Sequence, residues 1–280
     1  MAKRTKNHTH ILKKFESVSE FHNYLCNNEV SKTFKGFESS DLQSKSNTGW
    51  TKTESYAQAD GLLLYGDKEL QKKIMDAGVK KTRLKLNTKA TRRQIFSAVC
   101  GVAPNVPNAI AGVPTNMVAV KNVAIKQKVI NVCYFITANG DTEADDLLQA
   151  SANVISACME IEASGVRVNL YVGFLSEKLE DSVGFVMRIK SASQPFDVLK
   201  MAYPLAHPSM LRRHFFKAME ITKDVPTQFA PTYGHALNNA KEIRRYTESI
   251  TKNMQAVYSY YDAKGKTVEE IKKMIVRGNK

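Results

Sequence analysis

The middle of the sequence contains a strand, a long helix and a second strand in direct succession. Residues 129–136 are almost all apolar, as in a strand that is covered on both faces. Residues 143–163 carry apolar side chains at helical spacing, and a second apolar strand is predicted over residues 167–174. Strands joined by a helix of this length pair in parallel. The pattern therefore predicts a three-layer, Rossmann-like α/β sheet, parallel or mixed, with helices on both faces.

The remaining segments are predicted to surround this unit. We divide the chain into a basic mobile arm (residues 1–14), a helical N-terminal extension with a basic strand (residues 15–100) and an α/β core domain (residues 101–280). Residues 101–114 hold three prolines and no charge, so we expect an irregular segment that packs against the core.

Several helix starts can be predicted from polar pairs at capping-box spacing. The three pairs are Ser17 with Glu20, Thr51 with Glu54, and Thr267 with Glu270. Thr142 is predicted to cap the long central helix, whose first turn holds Asp145 and Asp146.

Positive charge is concentrated in the two ends of the chain. The net charge is +14, of which residues 1–100 supply +9 and residues 201–280 supply +7, while residues 101–200 carry −2. An almost neutral centre between two basic flanks suggests an exterior that faces a polyanion, with nucleic acid as the first expectation. A basic protein without any such partner is the alternative.

The cysteines and the N-terminus bear on the compartment. The four cysteines are widely spaced and form no C-x-x-C, so we expect reduced thiols and a cytoplasmic location. The first residues are polar and lack the apolar stretch of a secretion signal. No run of 18 apolar residues is present, so no membrane span is expected.

Named catalytic signatures are absent from the sequence. It contains no P-loop, no G-x-G-x-x-G, no G-x-S-x-G and no H-E-x-x-H. The composition and these absences favour a binding protein over an enzyme.

The polar turn over residues 137–142 lies between the first central strand and the long helix. In open α/β sheets, ligands collect at this edge. The oxygens of Asn139, Asp141 and Thr142, with the two aspartates that follow, are candidate ligands for Mg²⁺ or Ca²⁺, although no cofactor is required by the pattern. The alternative is a turn and a helix cap without a metal.

Two resemblances to known families follow from these motifs. The strand, polar loop, long helix and the strand Gly165-x-Arg-Val-x-Leu-Tyr-Val172 resemble the opening of von Willebrand factor A-type domains over residues 129–190. That family has a D-x-S-x-S metal motif where this chain has Thr137-Ala-Asn-Gly-Asp141. The resemblance implies a protein–protein adaptor that works with a partner ATPase.

The second resemblance covers more of the chain. The motifs Trp50-Thr-Lys-Thr-x-Ser-x-x-x-Ala59, Val106-Pro-Asn-x-x-x-Gly-Val-Pro114 and His207-Pro-Ser-Met-Leu-Arg-Arg-His-Phe-Phe216 are similar to an uncharacterised bacteriophage protein family. This similarity implies a viral origin and brings no activity with it.

A group of histidines and arginines is the candidate for chemistry on a phosphate. Arginine binds phosphate through two hydrogen bonds, and histidine transfers protons near neutral pH. The candidates are His207, Arg212, His214 and His235, with Arg213 and Tyr233 beside them. The alternative is a basic solvent-exposed face with structural histidines.

Nucleic-acid contacts are expected from the most basic segments. Lysine and arginine neutralise phosphates, and exposed aromatic rings such as Trp50, Tyr56 or Tyr246 stack on unpaired bases. The cationic candidates are Lys80, Lys81, Arg83, Lys85, Lys89, Arg92, Arg93, Arg244 and Arg245.

The sequence thus leads to three hypotheses for function. The first is a phage-encoded, non-enzymatic binding or scaffold protein that contacts nucleic acid or a nucleic-acid machine. The second is the adaptor that the von Willebrand A resemblance implies. The third is an enzyme that acts on a phosphate-containing substrate. The oligomeric state is left open.

Overall fold

A seven-stranded mixed sheet forms the centre of the structure. The computed structural model describes residues 2–5, 8–38, 48–76, 91–124, 128–230 and 232–278. The strands are β1 (Ala2–Thr5), β2 (His8–Phe15), β3 (Thr91–Ala98), β4 (Ala103–Pro104), β5 (Met117–Ala124), β6 (Val129–Phe135), β7 (Arg167–Lys178), β8 (Asp181–Lys190), β9 (His235–Ala236) and β10 (Ala256–Ser259).

The helices lie mainly between the strands of this sheet and before β3. They are α1 (Val18–Cys26), α2 (Thr48–Thr51), α3 (Tyr56–Tyr65), α4 (Lys68–Ile74), α5 (Val106–Ile110), α6 (Ala144–Ala163), α7 (Val198–Ala206), α8 (Phe216–Ile221), α9 (Ala240–Thr251), α10 (Tyr260–Ala263) and α11 (Val268–Arg277). A π-helical turn, Met210–Phe215, runs directly into α8, and a short 3₁₀ turn covers Thr227–Phe229.

The strand order in the central sheet is β1-β2-β8-β7-β6-β10, and β9 pairs with β7. β6 pairs in parallel with both β7 and β10, and β2 pairs in parallel with β8. β7 and β8 form an antiparallel pair. The predicted strand–helix–strand unit is therefore confirmed as β6, α6 and β7.

Helices cover both faces of the sheet. Successive strand residues point to opposite faces, and the strands carry apolar side chains that need a cover on each of them. On one face, Cys133, Phe135 and Val257 pack with Ile243 of α9. On the other face, the strands join a larger core that includes α6, α7, α8 and α11. This arrangement confirms the three-layer α/β fold.

The N-terminal residues belong to the fold more closely than predicted. The prediction that residues 1–14 are mobile is wrong for residues 8–14, since β2 pairs with β8 and buries Ile11 and Phe15. The side chains of Phe21 and Leu70, from α1 and α4, lie in the same buried cluster as the central strands. The predicted boundary at residue 100 therefore does not separate an extension from a core.

Residues 91–124, which we call the arm, form a second sheet of their own. Its strand order is β3-β5-β4, and no arm residue whose burial is described belongs to either buried cluster. The expectation that residues 101–114 pack against the core is wrong, because this segment is held within the arm. The backbone N–H of Val102 donates to Val118, and that of Asn105 donates to Asn116.

Two of the four predicted caps differ in the structure, and the other two are present. Ser17 Oγ accepts the backbone N–H of Glu20 at the start of α1. α3 is capped by the Ser55 hydroxyl, and not by Thr51. α6 begins after Glu143, without a side-chain cap from Thr142. The Thr267–Glu270 capping box is present at the start of α11. Among the described residues, no helix combines the length and the apolar character that crossing a membrane requires.

We expect the buried ion pair between α6 and β8 to contribute strongly to stability. Lys190 Nζ lies 2.5 Å from Glu162 Oε1, and both residues are buried. Glu162→Ala would leave the lysine unpaired and lower the free energy of unfolding by about 3–5 kcal/mol. Urea unfolding measures this loss. Glu269→Ala, which removes one exposed partner of Lys272, is the matched control, and equal losses in both variants would contradict the prediction.

Candidate functional site

A cleft of about 250 Å³ opens at the carboxyl ends of β6 and β7. This is the edge at which open α/β sheets bind ligands. We call it the Arg212 cleft, after the one arginine among its described lining residues. They are Thr137, Ala138, Asn139, Gly140, Phe174, Ser176, Leu211, Arg212, Phe216, Thr232, Tyr233, Gly234, His235 and Ala236.

The Arg212 guanidinium lies between two aromatic rings. Its central carbon is 4.9 Å from the ring centroid of Trp50 and 5.2 Å from that of Phe216. Phe216 in turn stacks on Tyr233 at 3.9 Å with an interplanar angle of 7°. Hydrogen bonds hold the outer rings, since Trp50 Nε1 donates to the Thr142 carbonyl and the Tyr233 hydroxyl donates to Glu220. The cation is therefore held in place by packing.

No anion balances Arg212 within the part of the chain that the structure describes. Its guanidinium has no ion pair or hydrogen bond to a described residue, and none of the described lining residues carries a carboxylate. Burial lowers the pKa of Arg212. Because an arginine stays protonated in proteins, the cleft holds a partly buried positive charge to which the described residues supply no counter-charge. Such a site favours an anionic ligand.

Neighbouring side chains of the π-helical turn point in different directions, one into the cleft and the next into the protein interior. Arg212 lines the cleft, whereas Arg213 is fully buried and donates to the hydroxyl and the carbonyl oxygen of Thr53. His214 is also fully buried. π-helical turns occur frequently at functional sites, where the extra residue per turn redirects side chains.

The wall opposite Arg212 has a constrained backbone. Tyr233 and Gly234 have φ values of 58° and 77°. A Cβ atom at position 234 would lie 2.3 Å from the Ser176 hydroxyl oxygen, so only glycine fits there. That hydroxyl donates to the Tyr233 carbonyl. A non-glycine residue held at positive φ beside a cleft is consistent with a functional position.

The expected metal ligands have other contacts in the structure. Asn139 Oδ1 accepts the backbone N–H of Ala236, and Thr142 is buried, with its carbonyl oxygen accepting from Trp50 Nε1. Asp146 pairs with Lys264. Asp141 and Asp145 do not line the cleft. Within the described ranges, no group of three or more His, Cys, Asp or Glu side chains is arranged to hold a metal ion.

The structure separates the four predicted phosphate-binding residues into two pairs. Arg212 and His235 line the cleft. His207 and His214 lie instead in a buried polar network with Tyr203. His207 stacks on the Tyr203 ring at 4.8 Å, and His214 Nδ1 is 3.0 Å from the Tyr203 hydroxyl.

Carboxylates approach both buried histidines. Asp67 lies 3.9 Å from His207 Nε2, and Asp60 lies 3.5 Å from His214 Nε2. Asp60 also contacts His22 at 3.0 Å. Hydrogen bonding to His214 is the first cause that lowers the pKa of Asp60. These contacts favour a structural role for His207 and His214.

The predicted nucleic-acid residues are only partly within the described ranges. Lys80, Lys81, Arg83, Lys85 and Lys89 lie outside them. Arg92 and Arg93 belong to β3 in the arm, where Arg93 is exposed. Arg244 and Arg245 belong to α9, on one face of the central sheet. The ring of Tyr246 packs 5.5 Å from His10.

Sequence reasoning missed the aromatic residues that hold Arg212. Trp50 was considered as a base-stacking residue, and Phe216 was not singled out. The spacing of Arg212 and Phe216 was the available signal, because side chains four residues apart meet on one helical face. Nothing local in the sequence connects Trp50 to either residue.

Acid should destabilise the folded chain through His207. Burial lowers the pKa of His207 to about 4, against an ordinary value of 6.5. Between these values the unfolded chain binds a proton that the folded chain does not bind. Stability is therefore complete above pH 6.5 and falls by about 3 kcal/mol as the pH drops to 4. His207→Asn should flatten this dependence in urea unfolding at several pH values. An unchanged slope in that variant would contradict the assignment.

Neither a curated protein nor a solved structure matches the chain. A family model described as "Domain of unknown function (DUF7192)" matches residues 3–275, which is nearly the whole sequence. The match spans the N-terminal strands, the arm, the Arg212 cleft and most of α11. The chain therefore belongs to the DUF7192 family.

Proposed function

We propose that this protein binds a phosphate-bearing ligand in the Arg212 cleft. The observation that carries the proposal is the positive charge of Arg212, which is packed between Trp50 and Phe216 without a described counter-ion. Burying an arginine without a carboxylate costs free energy, and a bound anion would offset that cost.

The chemistry of the cleft suits a phosphate group. Guanidinium groups bind phosphate oxygens through two parallel hydrogen bonds, and the two aromatic rings restrict Arg212 to a narrow range of orientations. The oxygen of the Thr137 hydroxyl accepts a hydrogen bond from the backbone of Leu175, so the O–H can donate a hydrogen bond to the ligand. Among the described lining residues, His235 adds an imidazole ring that can hydrogen-bond to a phosphate oxygen.

Trp50 provides a direct readout of ligand binding. It is the only tryptophan in the chain, and its ring contacts the proposed phosphate-binding cation. Titration with inorganic phosphate and pyrophosphate should change the tryptophan emission with a saturable curve. Arg212→Met should weaken binding by about 10- to 100-fold, since a charge-assisted hydrogen bond is lost while the packing on the rings is retained. Calorimetry measures both affinities.

The matched control for this experiment is Arg277→Met, which removes an exposed arginine on α11. Its phosphate affinity should equal that of the unaltered chain. Arg212→Lys should bind with intermediate affinity, because lysine keeps the charge and loses the bidentate geometry. Equal affinity in the Arg212→Met variant and the unaltered chain would refute the proposal.

A basic groove on α9 supports a second candidate function, which is contact with the nucleic-acid backbone. The groove has a volume of about 360 Å³. Lys241, Arg245 and Lys252 are exposed, and none of them forms an ion pair with a described residue. The Arg244 guanidinium partly turns inward, at 3.4 Å from the Met254 carbonyl. Two exposed cations on α9 and a third at its C-cap outnumber Glu248, the one carboxylate among the described lining residues, and match a sequence-independent phosphate-binding surface.

Salt dependence distinguishes nucleic-acid binding through this groove from other binding. In filter binding, Lys241→Gln and Arg245→Gln should each reduce the slope of log affinity against log salt by about 0.9 on duplex DNA and about 0.7 on single strands. Lys272→Gln is the control, because Glu160 and Glu269 already neutralise that lysine. Absence of binding at low salt, or identical slopes in all variants, would exclude this function for α9.

A further inference from the structure

The arm exposes an unusual amount of apolar surface. Ile95, Val102 and Ile110 are 70%, 77% and 84% exposed, and Val99 and Val106 are also exposed. None of the arm side chains whose burial is described is buried. Soluble monomers rarely leave such a concentration of apolar side chains in water, and patches of this kind mark interaction sites.

The arm also lacks the usual means of supporting a sheet. A sheet of three short strands needs a hydrophobic face that packs against another layer. The strands of the arm pair only with one another, and the arm adds no side chain to the two described cores. A layer from outside the described part of this chain is therefore required to cover it.

The strand register identifies the face that needs a cover. Ile95 is opposite Val120, and Ser97 is opposite Val118, so these four side chains share one face. We call it the Ile95 face. The other face, which carries Phe96 opposite Ala119, is less exposed. Ile95 and Val120 are both exposed and lie near the middle of the β3–β5 pair.

Charge limits the kind of partner that fits the Ile95 face. Residues 94–120 contain no charged side chain, in a chain whose net charge is +14. Arg93, at the end of the pair, is the one charged side chain on the described part of the Ile95 face. A nucleic acid or an acidic protein would find no cation over residues 94–120. In contrast, two copies of this chain repel each other through their charged surfaces, and they meet at the lowest electrostatic cost where neither carries charge.

We propose that the arm is a dimerisation element, in which the Ile95 faces of two copies pack against each other. The contact is isologous, because the same apolar centre of the face, Ile95 with Val120, serves both chains. Two such sheets form a small sandwich in which Ile95 and Val120 of one copy are covered by the same residues of the other copy. The proposal is independent of the ligand in the Arg212 cleft.

The test measures mass in solution by sedimentation and light scattering. The chain has a mass of 31.3 kDa, and we expect the unaltered protein to show twice that value. The double variant Ile95→Lys/Val120→Lys places like charges face to face and should show half the mass of the unaltered protein. Tyr65→Lys, at a residue on α3 that is 80% exposed and outside the arm, should remain dimeric.

A charge-reversal mixture keeps the test valid if a substitution disturbs the arm. Ile95→Glu/Val120→Glu should also be monomeric, and an equimolar mixture of the lysine and glutamate variants should recover the dimer. A monomeric unaltered protein, a dimer that survives the lysine substitutions, or a mixture that stays monomeric would each overturn the proposal. Flotation of the monomer with neutral lipid vesicles would assign the Ile95 face to a membrane instead, and would likewise overturn it.

Discussion

The hydrogen bonds of buried Arg213 determine where the candidate site lies. Its guanidinium donates to Thr53, and the Ser209 hydroxyl donates to the Thr51 carbonyl. Breaking either contact would leave a buried polar group unpaired, so the segment before α3 is held against the π-helical turn. Trp50 belongs to this segment, and it is thereby brought over Arg212. The cleft thus depends on contacts between residues about 160 positions apart.

The π-helical turn carries both the partly buried Arg212 and the fully buried Arg213 and His214. A ligand that binds Arg212 would stabilise the folded state alone, because the rings of Trp50 and Phe216 enclose the cation only after folding. Ligand binding and the docking of the N-terminal helices are therefore thermodynamically linked. Asp60 of α3 extends the linkage, since it contacts both His214 and His22 of α1.

The central fold was predictable because its signals are local. β6, α6 and β7 follow hydrophobic periodicity, and the Thr267–Glu270 cap spans four residues. β2 was missed because Lys13 occupies a core-side position between Ile11 and Phe15, with its ammonium over the Tyr24 ring. His207 and His214 were predicted to contact a phosphate together with Arg212. The π-helical turn instead buries His214 and leaves Arg212 at the cleft, and a π-helical turn cannot be predicted from the 3.6-residue period of an ordinary helix.

The misplacement of residues 101–114 shows what an uncharged segment does and does not predict. A lack of charge indicates a surface that is removed from water, but it does not identify the layer that removes it. Gly101 illustrates the local order of the arm, because a Cβ atom there would lie 2.2 Å from the Val118 carbonyl oxygen. Since the described part of the chain offers no covering layer, the layer that the arm needs lies outside that part, and a second Ile95 face, whose central residues are apolar and uncharged, meets the requirement.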